Sequence, residues 1–219
     1  MLKIGHRGAK GYVAENTLAS FEKAINLAVN GIELDVHLSL DKEIVVIHDE
    51  TIDRTTNGKG LVKNLSSLEL QSYGIPKLSQ VLDLINNKVL VNIELKSNDI
   101  VEKVITLIDF YISDKKWNPE NFIISSFNWE SLSKVKSLDK NIKIGVLTDD
   151  NLVLAIAFAK ENEAFSINPH FRLLNAENVK RIQKEGFEVH TWTVNSLEDI
   201  EMIKNMNVDA IISDFPDRI

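Results

Sequence analysis

Short runs of β-branched residues alternate with helix-period segments along this chain, and this alternation limits the possible folds more than any other feature. Such a pattern is typical of a parallel sheet whose strands are joined by crossover helices. The predicted strands are Leu2–His6, Gly31–His37, Val89–Lys96, Asn121–Ser126, Ile142–Leu147, Ala164–Asn168, Phe187–Thr193 and Ala210–Ser213. The predicted helices between them are Thr17–Val29, Leu78–Asn86, Ile100–Ile112, Trp129–Ser137, Leu152–Glu161, Ala176–Lys184 and Ser196–Met206.

Eight strands and seven intervening helices within 219 residues predict an α/β protein with a single domain over residues 1–219. A closed (β/α)₈ TIM barrel fits this order better than an open doubly wound sheet, because such barrels begin at about 200 residues. No GxGxxG loop follows the first strand, which argues against a dinucleotide-binding sheet.

One segment departs from this rhythm. Glu43–Ile47 has the pattern of a ninth strand, yet it is too close to the second strand for a parallel return, which needs a crossover of about a dozen residues. It must therefore form an antiparallel hairpin with a turn at Asp41–Lys42. We expect this hairpin to bring His48 back opposite Asp35 or Val36.

The connection that follows, residues 49–77, is longer than a usual loop between barrel elements. Long loops above a barrel are often functional. We expect this one to form a short cap segment over the mouth of the barrel.

Three acidic residues on neighbouring strands predict a metal site. Glu33 and Asp35 are two positions apart and therefore share one face of their strand. On the next barrel strand, Asn92, Glu94 and Lys96 share a face in the same way. Like-charge repulsion disfavours three clustered carboxylates unless a hard divalent cation binds them. All-oxygen ligands favour Mg²⁺ or Ca²⁺ over zinc.

Two histidines are predicted to flank that cluster. His6 lies in the tetrapeptide Gly5–Gly8 at the end of the first strand, and His48 ends the hairpin. Two imidazoles beside a metal-bound phosphate are suited to general acid–base cleavage. Arg7 and Lys96 would neutralise the phosphoryl oxygens. The two glycines suggest that the backbone approaches a ligand closely.

Five further side chains carry weaker signals. Trp192 and His190 share strand parity; we expect Trp192 to face the apolar part of a substrate and His190 to be structural. His37 is expected to face away from Asp35, and His170 to lie near the rim. Asp214, after the last strand, is expected to order its loop.

Composition narrows the functional class and the compartment. The chain has 25 basic and 32 acidic residues, a net charge of −7, which argues against nucleic-acid binding through basic patches. No cysteine is present, so disulfides and thiolate metal sites are excluded. No apolar stretch has the length of a signal peptide core or a membrane span. We expect a cytoplasmic protein without stable membrane association, as a monomer or a homodimer.

Eight sequence blocks, in order along nearly the whole chain, resemble the glycerophosphodiester phosphodiesterase family. They are HRGA from His6, ENT from Glu15, ELDV from Glu33, IHDETIDRTTNGKG from Ile47, IPKLSQVL from Ile75, NIELK from Asn92, WTVN from Trp192 and ISDFP from Ile212. The resemblance implies a metal-dependent TIM barrel that hydrolyses glycerophosphodiesters to an alcohol and sn-glycerol 3-phosphate.

The resemblance also implies a role for each candidate residue. His6 and His48 match the acid–base pair, and Trp192 matches a pocket residue near glycerol. The metal ligands are matched by Glu33, Asp35 and Glu94, and the phosphate-binding cations by Arg7 and Lys96. It further implies a substrate-assisted route, in which the glycerol 2-hydroxyl attacks phosphorus and a cyclic phosphate is then hydrolysed.

Two alternatives remain open at this point. The same site would suit a lysophospholipase D-type reaction on lysophospholipids, and the stretch between Gly60 and Ile75 is shorter than in many members, which leaves the alcohol group undetermined. A non-catalytic barrel that binds glycerophosphodiesters is the second alternative. Such a barrel would be expected to lack one of the two histidines or one of the three metal-binding carboxylates, and this chain has all five of these residues.

Overall fold

A computed structural model describes all 219 residues and contains nine strands and eight α-helices. The strands are β1 Leu2–Gly5, β2 Gly31–Leu38, β3 Ile44–Val46, β4 Leu90–Leu95, β5 Phe122–Ser126, β6 Lys143–Thr148, β7 Ser166–Pro169, β8 Glu188–Thr191 and β9 Ala210–Ser213. The helices are α1 Leu18–Asn26, α2 Ser67–Ser72, α3 Leu78–Ile85, α4 Val101–Ser113, α5 Trp129–Leu138, α6 Leu152–Glu161, α7 Ala176–Lys184 and α8 Leu197–Lys204.

Eight parallel strands form a closed ring. β1 pairs with β9 on one side and with β2 on the other, and the remaining neighbours follow the chain order from β4 to β9. β3 lies outside the ring, antiparallel to β2. The predicted (β/α)₈ barrel with a hairpin after the second strand is therefore confirmed.

The predicted elements all form, with ends that shift by a few residues. One helix, α2, was not predicted, because six residues are too few to show a helical period. Its start carries a local signal in the capping box of Ser66 and Glu69. This helix belongs to the cap segment, which has a small apolar core of its own around Val62, Leu70 and Ile75.

The hairpin register differs from the prediction. Val36 pairs with Val46 and Leu38 with Ile44, so the residue opposite Asp35 is Ile47, whose backbone N–H donates to the Asp35 carbonyl oxygen over 3.0 Å. The predicted pairing of His48 with Asp35 or Val36 is wrong by one or two residues. The turn at the hairpin tip is longer than the sequence indicated, since Ser39 also bonds to Glu43.

The main hydrophobic core lies between the outer face of the barrel and the surrounding helices. Helix α3 contributes Leu78, Val81, Leu82 and Ile85 to it, all fully buried at helical spacing. The barrel interior is more polar, so the apolar packing that stabilises the fold is concentrated in the outer layer. None of the helices combines the length and the apolarity that crossing a bilayer would require.

Two leucines on different helices test this assignment. Leu82 has no exposed surface, so Leu82→Ala should lower the free energy of unfolding by about 2–5 kcal/mol through lost burial and a cavity. Leu68 in α2 is 77% exposed, and Leu68→Ala should change the same quantity by no more than about 0.5 kcal/mol. Urea denaturation measures both, and equal losses would contradict the placement of the core.

Candidate active site

Three buried carboxylates converge at the C-terminal ends of β2 and β4. In the parallel pairing of these strands Asp35 is opposite Glu94, and Glu33 is two residues before Asp35 on the same face. One oxygen from each of the three carboxylates lies within 4.8 Å of the others. The sequence-predicted acidic cluster is thus a single site inside the barrel mouth.

Two cations and an amide surround the deepest of these carboxylates. Asp35 has a Lys96 Nζ at 2.9 Å from Oδ1 and an Arg7 Nε at 3.3 Å from Oδ2. Asn16 Nδ2 donates to Asp35 Oδ2 over 2.8 Å. Lys96 also contacts Glu94. The ammonium of Lys96 therefore lies between two of the three acids.

The surrounding charges make the three carboxyls unequal. Burial raises the pKa of Glu33 well above its ordinary value, and repulsion from Asp35 and Glu94 adds to this rise. Burial and the charge of Asp35 raise the pKa of Glu94 to about 7. Burial would also raise the pKa of Asp35, but Lys96 and Arg7 outweigh it and hold this pKa below its ordinary value. Asp35 is therefore the fixed anion of the cluster.

His6 is oriented toward the cluster by a carboxylate at the other end of the chain. Its Nδ1 lies 2.6 Å from Oδ1 of Asp214, and an acid–base pair this close makes Nδ1 the donor. Asp214 is itself held by Asn195, whose Nδ2 donates to Oδ2 over 2.9 Å. The other ring nitrogen of His6, Nε2, is left facing Glu33 at 3.9 Å.

His48 has the same arrangement with its neighbour in the chain. Its Nδ1 lies 2.6 Å from Oδ1 of Asp49, which leaves Nε2 free. The backbone is fixed as well, because His37 Nε2 donates to the His48 carbonyl oxygen over 3.0 Å. His48 lines the same pocket as His6, Glu33 and Glu94. The register error in the hairpin thus did not remove His48 from the site, since the chain leaves the β3 ladder after Val46.

Both imidazoles are shifted toward the neutral form. Burial lowers the pKa of His6, and its hydrogen bond to Asp214 offsets only part of this effect. Burial likewise lowers the pKa of His48, against the opposing influence of Asp35 and Asp49. Each ring is therefore able to accept a proton at Nε2 at neutral pH.

The turn that carries Arg7 is shaped by close packing within the protein. Arg7 has a positive φ of 51°, its backbone N–H donates to Glu33 Oε2 over 2.9 Å, and its Nη1 donates to Glu15. A Cβ on Gly8 would come within 2.4 Å of Ser20 Oγ, and a Cβ on Gly5 within 2.4 Å of the Gly8 carbonyl oxygen. The absence of a Cβ at these two positions lets the turn pack closely against itself and against Ser20 in α1. The expected close approach of this backbone to a ligand stays a prediction.

The pocket has a polar and an apolar side. His6, Arg7, Glu33, His48, Glu94 and Lys96 line the polar side. Phe127, Leu147 and Trp192 line the apolar side, where Phe127 and Trp192 pack edge to face at 5.5 Å. Trp192 Nε1 donates to the Asn168 carbonyl oxygen, which fixes the ring. All eight sequence-predicted site residues thus belong to one connected site, with Asp35 beneath the pocket floor.

Several contributing residues were missed or misassigned from sequence. The prediction that His37 faces away was wrong, because it shares the parity of Glu33 and Asp35; this alternation was available in the sequence. Asp214 orders a loop as expected, but it also holds His6. Asn16 was missed, although the Glu15–Thr17 block was noted as a whole.

The remaining histidines lie outside the pocket lining. His190 is buried and its Nε2 lies 2.7 Å from Glu188 Oε2, which agrees with a structural role. His170 begins a short 3₁₀ turn, where its ring packs against Trp192 and Phe171. Neither histidine faces the carboxylate cluster.

The donor set fits a divalent cation. Three carboxylate oxygens within reach of one another are hard ligands of the kind that Mg²⁺ and Ca²⁺ bind. Burial, together with repulsion among the carboxylates, raises the pKa values of Glu33 and Glu94, and the positive charges of Arg7 and Lys96 do not reverse this rise. A bound cation would relieve this repulsion.

A larger cleft exists elsewhere but lacks such chemistry. It has a volume of about 540 Å³ and lies between the tip of the β2–β3 hairpin and helices α3 and α4. Its lining includes Lys42, Glu102, Lys103 and Phe110 and no histidine. The barrel mouth is therefore the candidate active site.

Comparison with known proteins gives a consistent result. The model of the Glycerophosphoryl diester phosphodiesterase family matches residues 6–218. A glycerophosphodiester phosphodiesterase from Caldanaerobacter subterraneus subsp. tengcongensis is 40% identical over 237 residues, which cover 100% of this chain and 96% of the relative. One from Bacillus altitudinis is 36% identical over 242 residues, with 100% and 96% covered.

Solved structures share the fold over the same extent. An Oleispira antarctica phosphodiesterase in complex with the product sn-glycerol-3-phosphate has a TM-score of 0.88 and 28% identity. The match covers 99% of this chain and 94% of that chain. A glycerophosphodiester phosphodiesterase from Thermotoga maritima has a TM-score of 0.87 and 28% identity, with 99% and 96% covered.

The raised pKa of Glu94 has a consequence for stability in the absence of metal. The folded protein holds this proton up to about pH 7, whereas the unfolded chain releases it near 4.5. The stabilisation is fully present below the unfolded value and is lost as pH rises through the folded value. In chelator, the free energy of unfolding should therefore fall between about pH 4.5 and pH 7, by on the order of 1–3 kcal/mol from this group.

Glu94→Gln should flatten this fall in urea denaturation measured across that pH range. The matched control is Glu161→Gln, at an exposed glutamate that ends α6, and it should leave the pH dependence as in the unmodified protein. An unchanged slope in Glu94→Gln would contradict the raised pKa.

Proposed function

Because the chain belongs to the glycerophosphoryl diester phosphodiesterase family, we propose that its barrel mouth cleaves glycerophosphodiesters to an alcohol and sn-glycerol 3-phosphate with His6 and His48 as the acid–base pair. One observation carries this proposal. Both histidines have Nδ1 fixed by a carboxylate, and both present Nε2 to the pocket that contains the acidic cluster. General acid–base catalysis requires two such groups on either side of the reacting phosphorus.

The first step uses the glycerol 2-hydroxyl of the substrate as the nucleophile. One neutral imidazole accepts the hydroxyl proton at Nε2 while the oxygen forms a bond to phosphorus. The bond from phosphorus to the alcohol oxygen breaks, and the other imidazole donates a proton to that oxygen. In the second step water opens the cyclic phosphate with the proton transfers reversed, which leaves sn-glycerol 3-phosphate.

Substrate binding would provide the protonated imidazole that this step needs, because it raises the pKa of one of the two rings. Burial keeps both rings neutral before substrate binds. A phosphodiester carries one negative charge, and a nearby negative charge raises the pKa of an imidazole. One of the two rings therefore gains a proton when substrate binds, while the other stays neutral as the base.

Arg7 and Lys96 would bind the phosphoryl oxygens. Both side chains are largely buried and both contact Asp35, so their positive charges are fixed before substrate arrives. Fixed charges stabilise a developing negative charge without reorganisation. Trp192 and Phe127 would pack against the carbon atoms of the glycerol group on the apolar side of the pocket.

Glu33, Asp35 and Glu94 would hold a divalent cation, Mg²⁺ or Ca²⁺. When bound, this ion would stabilise negative charge on a non-bridging phosphoryl oxygen and lower the pKa of the attacking hydroxyl. Its binding would also offset the repulsion within the acidic cluster, because the ion brings two positive charges to three carboxylates.

Release of sn-glycerol 3-phosphate from a panel of glycerophosphodiesters tests the function. We expect product from glycerophosphocholine, glycerophosphoethanolamine or glycerophosphoglycerol. Chelator should abolish this release, and Mg²⁺ or Ca²⁺ should restore it. Lysophosphatidylcholine belongs in the same panel, because lysophosphatidic acid as the main product would assign a lysophospholipase D reaction instead. A complete absence of product with every metal and substrate would contradict the proposal.

Substitution of either histidine tests the mechanism. His6→Ala and His48→Ala should each lower kcat by about 10²–10⁴, the usual cost of removing one proton-transfer group. Circular dichroism should show that both variants keep the fold of the unmodified protein. His190→Gln, at the histidine that bonds to Glu188 outside the pocket, is the control and should keep its turnover if folded. Near-normal turnover in His6→Ala or His48→Ala would remove that histidine from its role.

A further inference from the structure

Arg54, in the cap segment, contacts the carboxylate that holds His48 and the carboxylate that holds Arg7. Arg54 does not line the pocket and contacts none of Glu33, Asp35 and Glu94. Its guanidinium instead lies between two carboxylates that come from different loops. Asp49 follows β3, and Glu15 precedes α1.

The geometry of this contact is a double fork. Nε of Arg54 donates to Asp49 Oδ2 over 2.6 Å, and Nη2 donates to Asp49 Oδ1 over 3.0 Å. On the other side, Nη1 donates to Glu15 Oε2 over 3.0 Å, and Nη2 donates to Glu15 Oε1 over 2.7 Å. A planar guanidinium has the donor spacing for two carboxylates, whereas an ammonium does not.

Each of the two carboxylates holds a residue of the proposed mechanism. Asp49 Oδ1 accepts the hydrogen bond of His48 Nδ1. Glu15 Oε1 accepts the hydrogen bond of Arg7 Nη1 over 2.7 Å. Arg54 therefore contacts the proposed proton-transfer imidazole through one intervening side chain, Asp49. It contacts the proposed phosphate-binding guanidinium through another, Glu15.

Charge explains why a cation is needed at this point. Glu15 Oε1 and Asp49 Oδ1 both accept from the same Nη2 atom, so these carboxylates converge closely. The side chain of Glu15 is only 8% exposed, and water screens its charge poorly. Without Arg54 the two anions would repel each other, and this repulsion would loosen both from the residues they orient, although Lys10 still lies 3.6 Å from Glu15 Oε2.

We infer that Arg54 is a positioning residue for the phosphodiesterase reaction, which holds the His48 ring through Asp49 and the Arg7 guanidinium through Glu15. The inference rests on the proposed function, and it adds to it a residue that lies outside the pocket lining and contacts none of the three clustered carboxylates. A purely structural role would be to anchor the cap segment. That role predicts a loss of stability but no specific change in kinetics.

The two branches predict different kinetic effects. Asp49→Asn loosens only the residue that transfers a proton, so it should lower kcat with little change in KM. Glu15→Gln loosens Arg7, which binds phosphate, so its main effect should be a raised KM, with a smaller fall in kcat because Arg7 also stabilises the developing negative charge. Arg54→Ala removes both supports and should lower kcat by about 10- to 100-fold, as loss of an orienting partner usually does, while it raises KM several-fold.

The decisive experiment measures kcat and KM for glycerophosphodiester hydrolysis at saturating metal in these variants. Arg181→Ala, at an exposed arginine of α7, is the matched control and should equal the unmodified enzyme. In the double variant Asp49→Asn/Arg54→Ala, kcat should fall little below that of Asp49→Asn alone, because both substitutions break the same support. Guanidinium chloride at millimolar concentration should restore part of the activity of Arg54→Ala.

Several results would overturn the inference. One is a variant Arg54→Ala whose kcat and KM both match those of Arg181→Ala while only its Tm falls, since Arg54 would then anchor the cap alone. A second is a change in only one of the two kinetic constants, because the proposed coupling requires both. If Arg54→Ala does not fold, Arg54→Lys replaces it in the test. Lysine keeps the positive charge but cannot span two carboxylates, so full activity of Arg54→Lys would refute the positioning role of Arg54.

Failure of the proposed function is a separate result. In that case the unmodified enzyme itself would release no sn-glycerol 3-phosphate. The inference itself fails when the unmodified enzyme is active and the Arg54 variants give any one of the overturning results above.

Discussion

Mutual repulsion among three buried carboxylates is the constraint on which the rest of this site depends. Glu33, Asp35 and Glu94 lie within 4.8 Å of one another in the mouth of the barrel. Arg7 and Lys96 both contact Asp35, while burial and repulsion from the neighbouring carboxylates raise the pKa values of Glu33 and Glu94. The fold therefore maintains a local demand for positive charge, which a divalent cation would meet in the proposed mechanism.

The site combines two kinds of support with different origins. Strands fix the acidic cluster, because the pairing of β2 with β4 sets which carboxylates are neighbours. Loops fix the histidines, because Asp214 and Asp49 lie beyond the strand ends. The backbone hydrogen bond from His37 to His48 adds a third kind of support, from a strand to a loop. Rigid strands and short loop contacts together leave each imidazole with a single free nitrogen.

Much of this arrangement was predictable from local patterns. The shared face of Glu33 and Asp35 follows from strand alternation alone, and the same rule would have placed His37 correctly had it been applied. The hairpin register was not predictable, because the extra residues at its turn left no clear signal. Asp214 was underestimated for another reason. It is 208 residues from His6 in the chain, and only the pairing of β1 with β9 brings them together.

The sequence by itself determined the barrel class, the order of its strands and the set of acidic and imidazole groups at their ends. These features follow from periodicity, which is a property of neighbouring residues. Tertiary structure alone decided that Asp214 holds His6 and that Arg54 spans Glu15 and Asp49. Such contacts depend on how the ring of strands closes and where each loop turns, and no local pattern of residues specifies the distance between two loops.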